Sequence, residues 1–313
     1  MDFPTSLQRI AHVALPARAP DMRSVLDVAN PLIVAFATLA TLALLARVGV
    51  PRVSHAVASL ALALNGSAHA RWLNLGLWPA LSYVRAARAL AAHVGRTAGI
   101  GAGAAVLDVG CGLGESLRLW LSAKFGAASV VGVNASVGEV RAARELLGED
   151  TRAEVVCADG AALPDKLRGG TFDAVVSVDA CYHFDTRERF LRGAYDALRP
   201  GGRFAAADVV SACGAPSLAV RAQRAAFCAI AGIPPANVAY GVAGYAQRLR
   251  EVGFEDVLTE DVSEHVLGGF AAWAARSESR GVRIAGRFIR AMRERAAVSF
   301  VVVRAVKPDG GEL

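Results

Sequence analysis

The stretch Ala104-Ala105-Val106-Leu107-Asp108-Val109-Gly110-Cys111-Gly112-Leu113-Gly114-Glu115-Ser116 decides how the rest of the chain is read. An apolar, β-branched run feeds into glycines at alternate positions, and a helical pattern from Ser116 to Lys124 follows at once. The order predicts a strand, a tight loop and a helix N-terminus. Glycine permits positive φ and close backbone approach, and the first turn of a helix leaves N–H groups without partners. The loop is therefore a cradle for a nucleotide-type ligand.

Spacing narrows the ligand. A dinucleotide fingerprint reads G-x-G-x-x-G and seats a pyrophosphate on the helix N-terminus. Here the order is Asp-x-Gly-x-Gly-x-Gly, and the Asp108 carboxylate at the strand end repels a pyrophosphate. It suits a ligand carrying positive charge near the loop, such as the amino or sulfonium group of S-adenosylmethionine. Val106 to Gly114 resembles the first motif of class I S-adenosylmethionine-dependent methyltransferases. That resemblance implies an α/β fold with a doubly wound, seven-stranded, mostly parallel sheet. It also places Asp108, Gly110, Gly112 and Gly114 at the cofactor.

Downstream segments keep the order of that fold. Ala128 to Asn134 reads as a second strand, and Ser136 with Glu139 makes a capping box for a helix over Val137 to Leu147. The resembled class usually closes this strand with an acid for the ribose hydroxyls, whereas Asn134 offers one acceptor and one donor group. Tocopherol- and sterol-type members depart from the acid in the same way. Ala153 to Ala158 is a third strand ending in Asp159-Gly160, where the resemblance implies an acceptor for the adenine amino group and a backbone N–H for a ring nitrogen. A helix N-cap is the structural alternative for Asp159. Gly170 to Val178 is apolar almost throughout, as a parallel strand buried on both faces requires. A helix over Thr186 to Leu198 and the turn Arg199-Pro200-Gly201-Gly202 follow, then a strand from Arg203 to Val210. The remainder contains helical stretches at 217–230 and 244–252, a break at Ile233-Pro234-Pro235, and strands at 255–262 and 297–305.

Ligands of open α/β sheets sit beyond the carboxyl ends of the strands, which directs attention to Asp179-Ala180-Cys181-Tyr182-His183. His183 is the candidate base, because an imidazole titrates near neutrality. Asp179 can orient it or hold an acceptor group. Tocopherol- and sterol-type enzymes carry an acid and a histidine at these two places, so the resemblance supports the pair. Tyr182 and Cys181 are read as lining the acceptor pocket. Tyr182 also departs from the Glu that precedes the matching His in cyclopropane-fatty-acid synthases. Upstream, Arg71-Trp72-Leu73-Asn74-Leu75-Gly76-Leu77-Trp78 looks like the segment that leads into the cofactor cleft of the same subfamily, with Trp78 against the cofactor and a helix from Ala80 covering it. An aromatic cluster that only packs on the core is the alternative.

The chain has 313 residues, is 54% hydrophobic and carries a formal charge of +6. Its basic residues, almost all Arg, are scattered rather than striped, and the Pro-Pro-aromatic motif of nucleobase methyltransferases is missing after the fourth strand, so no nucleic-acid partner is expected. The five cysteines lack C-x-x-C spacing and the histidines lack metal-ligand spacing, so no metal is expected. Residues 1–27 read as a loosely ordered leader, 28–70 as a hydrophobic helical segment, and 71–313 as the methyltransferase domain. Val28 to Ala46 is free of formal charge and approaches the ~20 residues of a bilayer span. A buried or dimer-forming helix, a membrane anchor and a hairpin dipping into one leaflet all remain open, and the expected location is cytoplasmic with membrane association through 28–70. The leading expectation is a methyltransferase acting on a hydrophobic small molecule. A nicotinamide-dependent oxidoreductase and a non-catalytic membrane scaffold that keeps the fold are the alternatives.

Overall fold

The computed structural model describes residues 63–66, 69–212, 217–295 and 298–309. The leader, most of the 28–70 segment and Cys213 lie outside the described residues. Among the described residues no helix is long and apolar enough to cross a membrane.

Seven strands form one sheet in the order β3-β2-β1-β4-β5-β7-β6. They are β1 (Ala105–Val109), β2 (Ser129–Asn134), β3 (Ala153–Cys157), β4 (Phe172–Val178), β5 (Leu198–Ser211), β6 (Glu255–Asp261) and β7 (Val298–Val306). Parallel pairing joins β3, β2, β1, β4 and β5, and β7 runs antiparallel to both β5 and β6. The expected doubly wound, mostly parallel seven-stranded sheet is present.

Helices α1 (Tyr83–Thr97), α2 (Glu115–Leu121), α3 (Val137–Leu147), α4 (Arg187–Ala197), α5 (Leu218–Ala231), α6 (Val242–Val252), α7 (Gly269–Ala274) and α8 (Arg280–Arg295) accompany the sheet. Apolar residues on both faces of the central strands produce two cores. One centres on Leu90, Val106, Trp120 and Phe300, the other on Leu107, Val175, Phe190 and Phe204. Burying a side chain of this size is worth about 1.5–3 kcal/mol.

Boundaries differ from the sequence expectation for local reasons, most at β5, which takes in Arg199–Gly202, expected as a turn, because the Gly201 N–H donates to the Lys307 carbonyl and the Gly202 carbonyl accepts the Lys307 N–H, both at 2.9 Å. Helix α1 begins at Tyr83 rather than Ala80, because Ser82 caps it by accepting the Arg85 N–H. Helix α2 stops at Leu121, where Ser122 turns to extended geometry and its hydroxyl donates to the Leu119 carbonyl at 2.6 Å. The order of strands across the sheet reverses between β1 and β4, which stay parallel, and open α/β sheets bind ligands at such a switch point. The glycine loop after β1 and the Asp179–His183 loop after β4 meet there.

Candidate active site

A cavity of about 480 Å³ opens over the carboxyl ends of β1, β2, β3 and β4. Its lining includes Gly110, Gly112, Asn134, Glu139, Asp159, Gly160, Asp179, Tyr182 and His183. The size suits a small-molecule site.

The glycine loop is held to the sheet by its own backbone. The N–H groups of Gly110 and Cys111 both donate to the Val133 carbonyl, at 2.8 and 3.2 Å. Gly110 has φ +85, and a Cβ there would stand 2.4 Å from the Ala180 methyl, so the close approach of the two loops needs glycine. Gly112 has φ +52 and faces only Leu73, at 3.5 Å, which leaves its outer side open. Gly114 caps α2 in the left-handed region.

At the end of β2 the structure adds a residue that the motif reading passed over. Ser136 caps α3 as expected, but the Glu139 carboxylate does not complete the reciprocal half of the capping box. It turns to Asn134, whose amide donates to Glu139 Oε2 at 2.8 Å, while the Asn134 oxygen accepts the Gly112 N–H at 3.3 Å. Glu139 thus brings a carboxylate to a strand end that lacks one of its own. The S-x-x-E pattern signals a cap equally well, so the sequence alone did not separate the two roles. Asp159 lines the cavity and also closes a turn by accepting the Ala161 N–H at 2.9 Å. Gly160 lies beneath Phe184, whose ring stands 2.6 Å from where a Cβ would sit.

On the β4 side, Asp179 adopts φ +60, a left-handed conformation costly for most residues and tolerated by Asp. Its two oxygens accept from the Leu75 N–H at 2.7 Å and the Tyr182 hydroxyl at 2.8 Å. Burial raises this carboxyl to a pKa of about 7 despite both bonds. The Tyr182 and His183 rings pack 4.3 Å apart, and His183 keeps surface open to the cavity. Dense surroundings nonetheless lower the imidazole below its ordinary value, favouring the neutral form.

Residues 71–75 form a strap beside the glycine loop. Glu115 accepts the Arg71 N–H at 2.9 Å, and Asp179 holds Leu75 at the other end. Leu73 and Asn74, between these pins, line the cavity.

Four residues assigned to the site from sequence do not line this cavity. Gly114 faces α3, where a Cβ would stand 3.0 Å from the Ala143 methyl. Asp108 is fully buried behind the glycine loop, where Trp120 Nε1–H donates to it at 2.9 Å, and burial raises its pKa to about 6. Trp78 stacks on Trp273 at 5.3 Å and donates from Nε1 to the Leu75 carbonyl, supporting the strap and facing a separate pocket with His265 and Glu264. Cys181 is buried, with its sulfur 4.0 Å from the Tyr245 hydroxyl. Helix α1 also contributes no residue to the cavity lining; it packs against β4 and β5. Among the described residues no group of His, Cys, Asp and Glu is arranged to hold a metal ion.

Residues 107–206 match the methyltransferase domain family. The chain is 30% identical over 232 residues to the 27-O-demethylrifamycin SV methyltransferase of Amycolatopsis mediterranei, spanning 66% of this chain and 79% of that protein. The chain belongs to the class I S-adenosylmethionine-dependent methyltransferases. It is also 34% identical over 206 residues to the erythromycin 3''-O-methyltransferase of Saccharopolyspora erythraea, covering 63% of this chain and 66% of that one. The [4+2]-cyclase SpnF shares the fold, with a TM-score of 0.61 and 22% identity over 81% of this chain and 93% of that chain. Nothing in these matches supports the nicotinamide-dependent alternative.

The cavity fits the cofactor of this methyltransferase family. Its open glycine loop, the carboxylates of Glu139 and Asp159, and the Asn134 amide are the donor and acceptor set that an adenosine demands.

Proposed function

We propose that this methyltransferase acts on a hydroxyl of a hydrophobic small molecule, with His183 as the base. The observation that carries the reading is the meeting, in one cavity, of the glycine loop, Glu139 and Asp159 with Tyr182 and His183. The oxygen acceptor is suggested by the erythromycin and rifamycin methyltransferases, both named for macrocyclic natural products.

In this reading Glu139 and Asn134 hold the ribose hydroxyls, Asp159 accepts from the adenine amine, and the Gly110–Gly114 backbone and the strap hold the methionine end. Bound there, S-adenosylmethionine would supply the methyl group as an electrophile, its methyl–sulfur bond breaking to release S-adenosylhomocysteine. The protein's work is then positioning and proton removal. His183 takes the hydroxyl proton as the oxygen–carbon bond forms. Asp179 and Tyr182 keep the strap and the acceptor side of the cavity in place. Asp108 acts from behind, bracing the loop through Trp120.

Incubating the full chain with radiolabelled S-adenosylmethionine and a metabolite extract tests the activity. His183→Gln is expected to lower transfer about 10²-fold or more while S-adenosylhomocysteine still binds. Full activity in that variant would remove His183 from the mechanism. A second reading, cofactor binding without methyl transfer, draws on the [4+2]-cyclase that shares this fold. Thermal stabilisation by S-adenosylhomocysteine without transfer to any fraction of the extract would favour it. Membrane association through 28–70 rests on the sequence alone, and release of the full chain from membranes without detergent would count against it.

A further inference from the structure

Between α5 and α6 a short segment grips the loop that carries His183. Asn237 is fully buried, and its amide nitrogen donates to the carbonyls of Tyr182 at 2.9 Å and Phe184 at 2.7 Å, one on each side of His183. Its oxygen accepts the Arg187 N–H at 3.1 Å, at the first turn of α4. An asparagine amide has two N–H donors and one oxygen, and all three are engaged here. The grip is itself stiffened, since Asn237 lies in a single helical turn that starts at Pro235 and its own N–H donates to the Pro234 carbonyl.

The same segment reaches the imidazole. Gly232 ends α5 in the left-handed region, with φ +66, and its carbonyl oxygen lies 3.4 Å from His183 Nδ1. A carbonyl can only accept, so this contact requires the proton on Nδ1 and leaves the Nε2 lone pair free.

We propose that Asn237 is a positioning residue for His183: by clamping the carbonyls on either side of it, Asn237 holds the imidazole against Gly232 in the Nδ1–H tautomer and presents Nε2 as the proton-accepting atom. The inference rests on His183 being the base. It assigns the segment between α5 and α6 a part in the chemistry as well as in the packing. The depressed imidazole pKa agrees with it, because only the neutral ring has a tautomer to select.

Tautomer state is readable without knowing the acceptor. In full-length protein labelled with ¹⁵N-histidine and saturated with S-adenosylhomocysteine, His183 is assigned by its loss in His183→Gln. The expected spectrum has a protonated Nδ1 and an unprotonated Nε2. Asn237→Asp keeps the shape but turns a carboxylate oxygen toward two carbonyls. It should give a mixture with a substantial Nε2–H population, while S-adenosylhomocysteine binds within about threefold of the wild-type affinity. If Asn237→Asp does not fold, the uncharged Asn237→Ser, which can donate to only one carbonyl, decides in its place. An Nε2–H tautomer in the wild type, or an unchanged tautomer in a folded Asn237 variant, would overturn the proposal. Failure of the base assignment shows up separately, as full methyl transfer by His183→Gln with the tautomer as expected.

Discussion

The carboxylate of Asp179 accepts the backbone N–H of Leu75 at 2.7 Å, across 104 residues of sequence, and so fastens the strap to the strand that ends at the acceptor side. Removing it leaves the Leu75 N–H and the Tyr182 hydroxyl without their acceptor, at about 1–3 kcal/mol for each buried group. Asp179→Ala is therefore expected to weaken S-adenosylhomocysteine binding about tenfold and to speed amide exchange across 71–78. Calorimetry and hydrogen exchange check the two halves. Asp179→Asn, whose one amide oxygen can serve only one of the two donors, should fall between wild type and Asp179→Ala.

Asp108 should leave a mark on the pH dependence of stability. Burial raises its pKa from an ordinary carboxylate value to about 6 in the folded protein. The native state then binds a proton more tightly than the unfolded chain. The contribution is fully present below pH ~4 and is lost as pH rises through about 6, amounting to roughly 3 kcal/mol. Asp108→Asn removes that dependence. The stability of the wild type relative to Asp108→Asn, measured by denaturant unfolding, is expected to fall steadily between pH 4 and pH 7. A constant difference across that range would refute the assignment.

Much of this architecture was legible because strand order follows from apolar runs and punctuation. Val106 to Gly114 and the continuous apolar run to Val178 each carry their structure in local sequence, whereas Arg199–Gly202, expected as a turn, lies within β5. Helix α3 runs from Val137 to Leu147 as its cap and periodicity require. What local pattern does not encode is the direction of a side chain at a strand end. Asp108 sits two positions before the first residue of the loop, yet the β-strand alternation turns it inward to Trp120. Trp78 is claimed by an aromatic partner 195 positions away, and no motif records that contact. Glu139 and Asn237 were missed for the opposite reason. One satisfies a common capping pattern, and the other is an asparagine after a Pro-Pro pair, a residue type that turns use everywhere.

Glu139 offers a direct test of where the ribose acceptor lies. With the Asn134 oxygen accepting the Gly112 N–H and one of its two amide N–H groups given to Glu139, the remaining carboxylate oxygen is the strong acceptor at this end of the cavity. Glu139→Ala is expected to lower affinity for S-adenosylhomocysteine by about ten- to a hundredfold, the value of one or two hydrogen bonds to a charged acceptor. The double variant Asn134→Asp/Glu139→Ala returns an acid to the strand end and should recover part of that loss. Equal affinity of wild type and Glu139→Ala, with the fold intact by circular dichroism, would place the ribose elsewhere.

Beneath the His183 loop lies a fully buried ion pair, Arg187 Nε to Asp208 Oδ2 at 2.9 Å. Burial alone would depress the guanidinium, but Asp208 and the rings of Tyr245 and Tyr240 hold it firmly charged, and a further N–H donates to the Val209 carbonyl at 2.7 Å. Breaking such a pair from one side strands the other charge, a loss of about 3–5 kcal/mol. Asp208→Leu should therefore lower unfolding stability by that order, whereas Arg187→Met/Asp208→Leu, which removes both charges, should lose less than the single substitution. Because the Arg187 N–H also bonds Asn237, the double variant separates two roles for this region. The backbone bond to Asn237 survives a side-chain exchange, so a folded double variant should retain the His183 tautomer even where its stability has dropped.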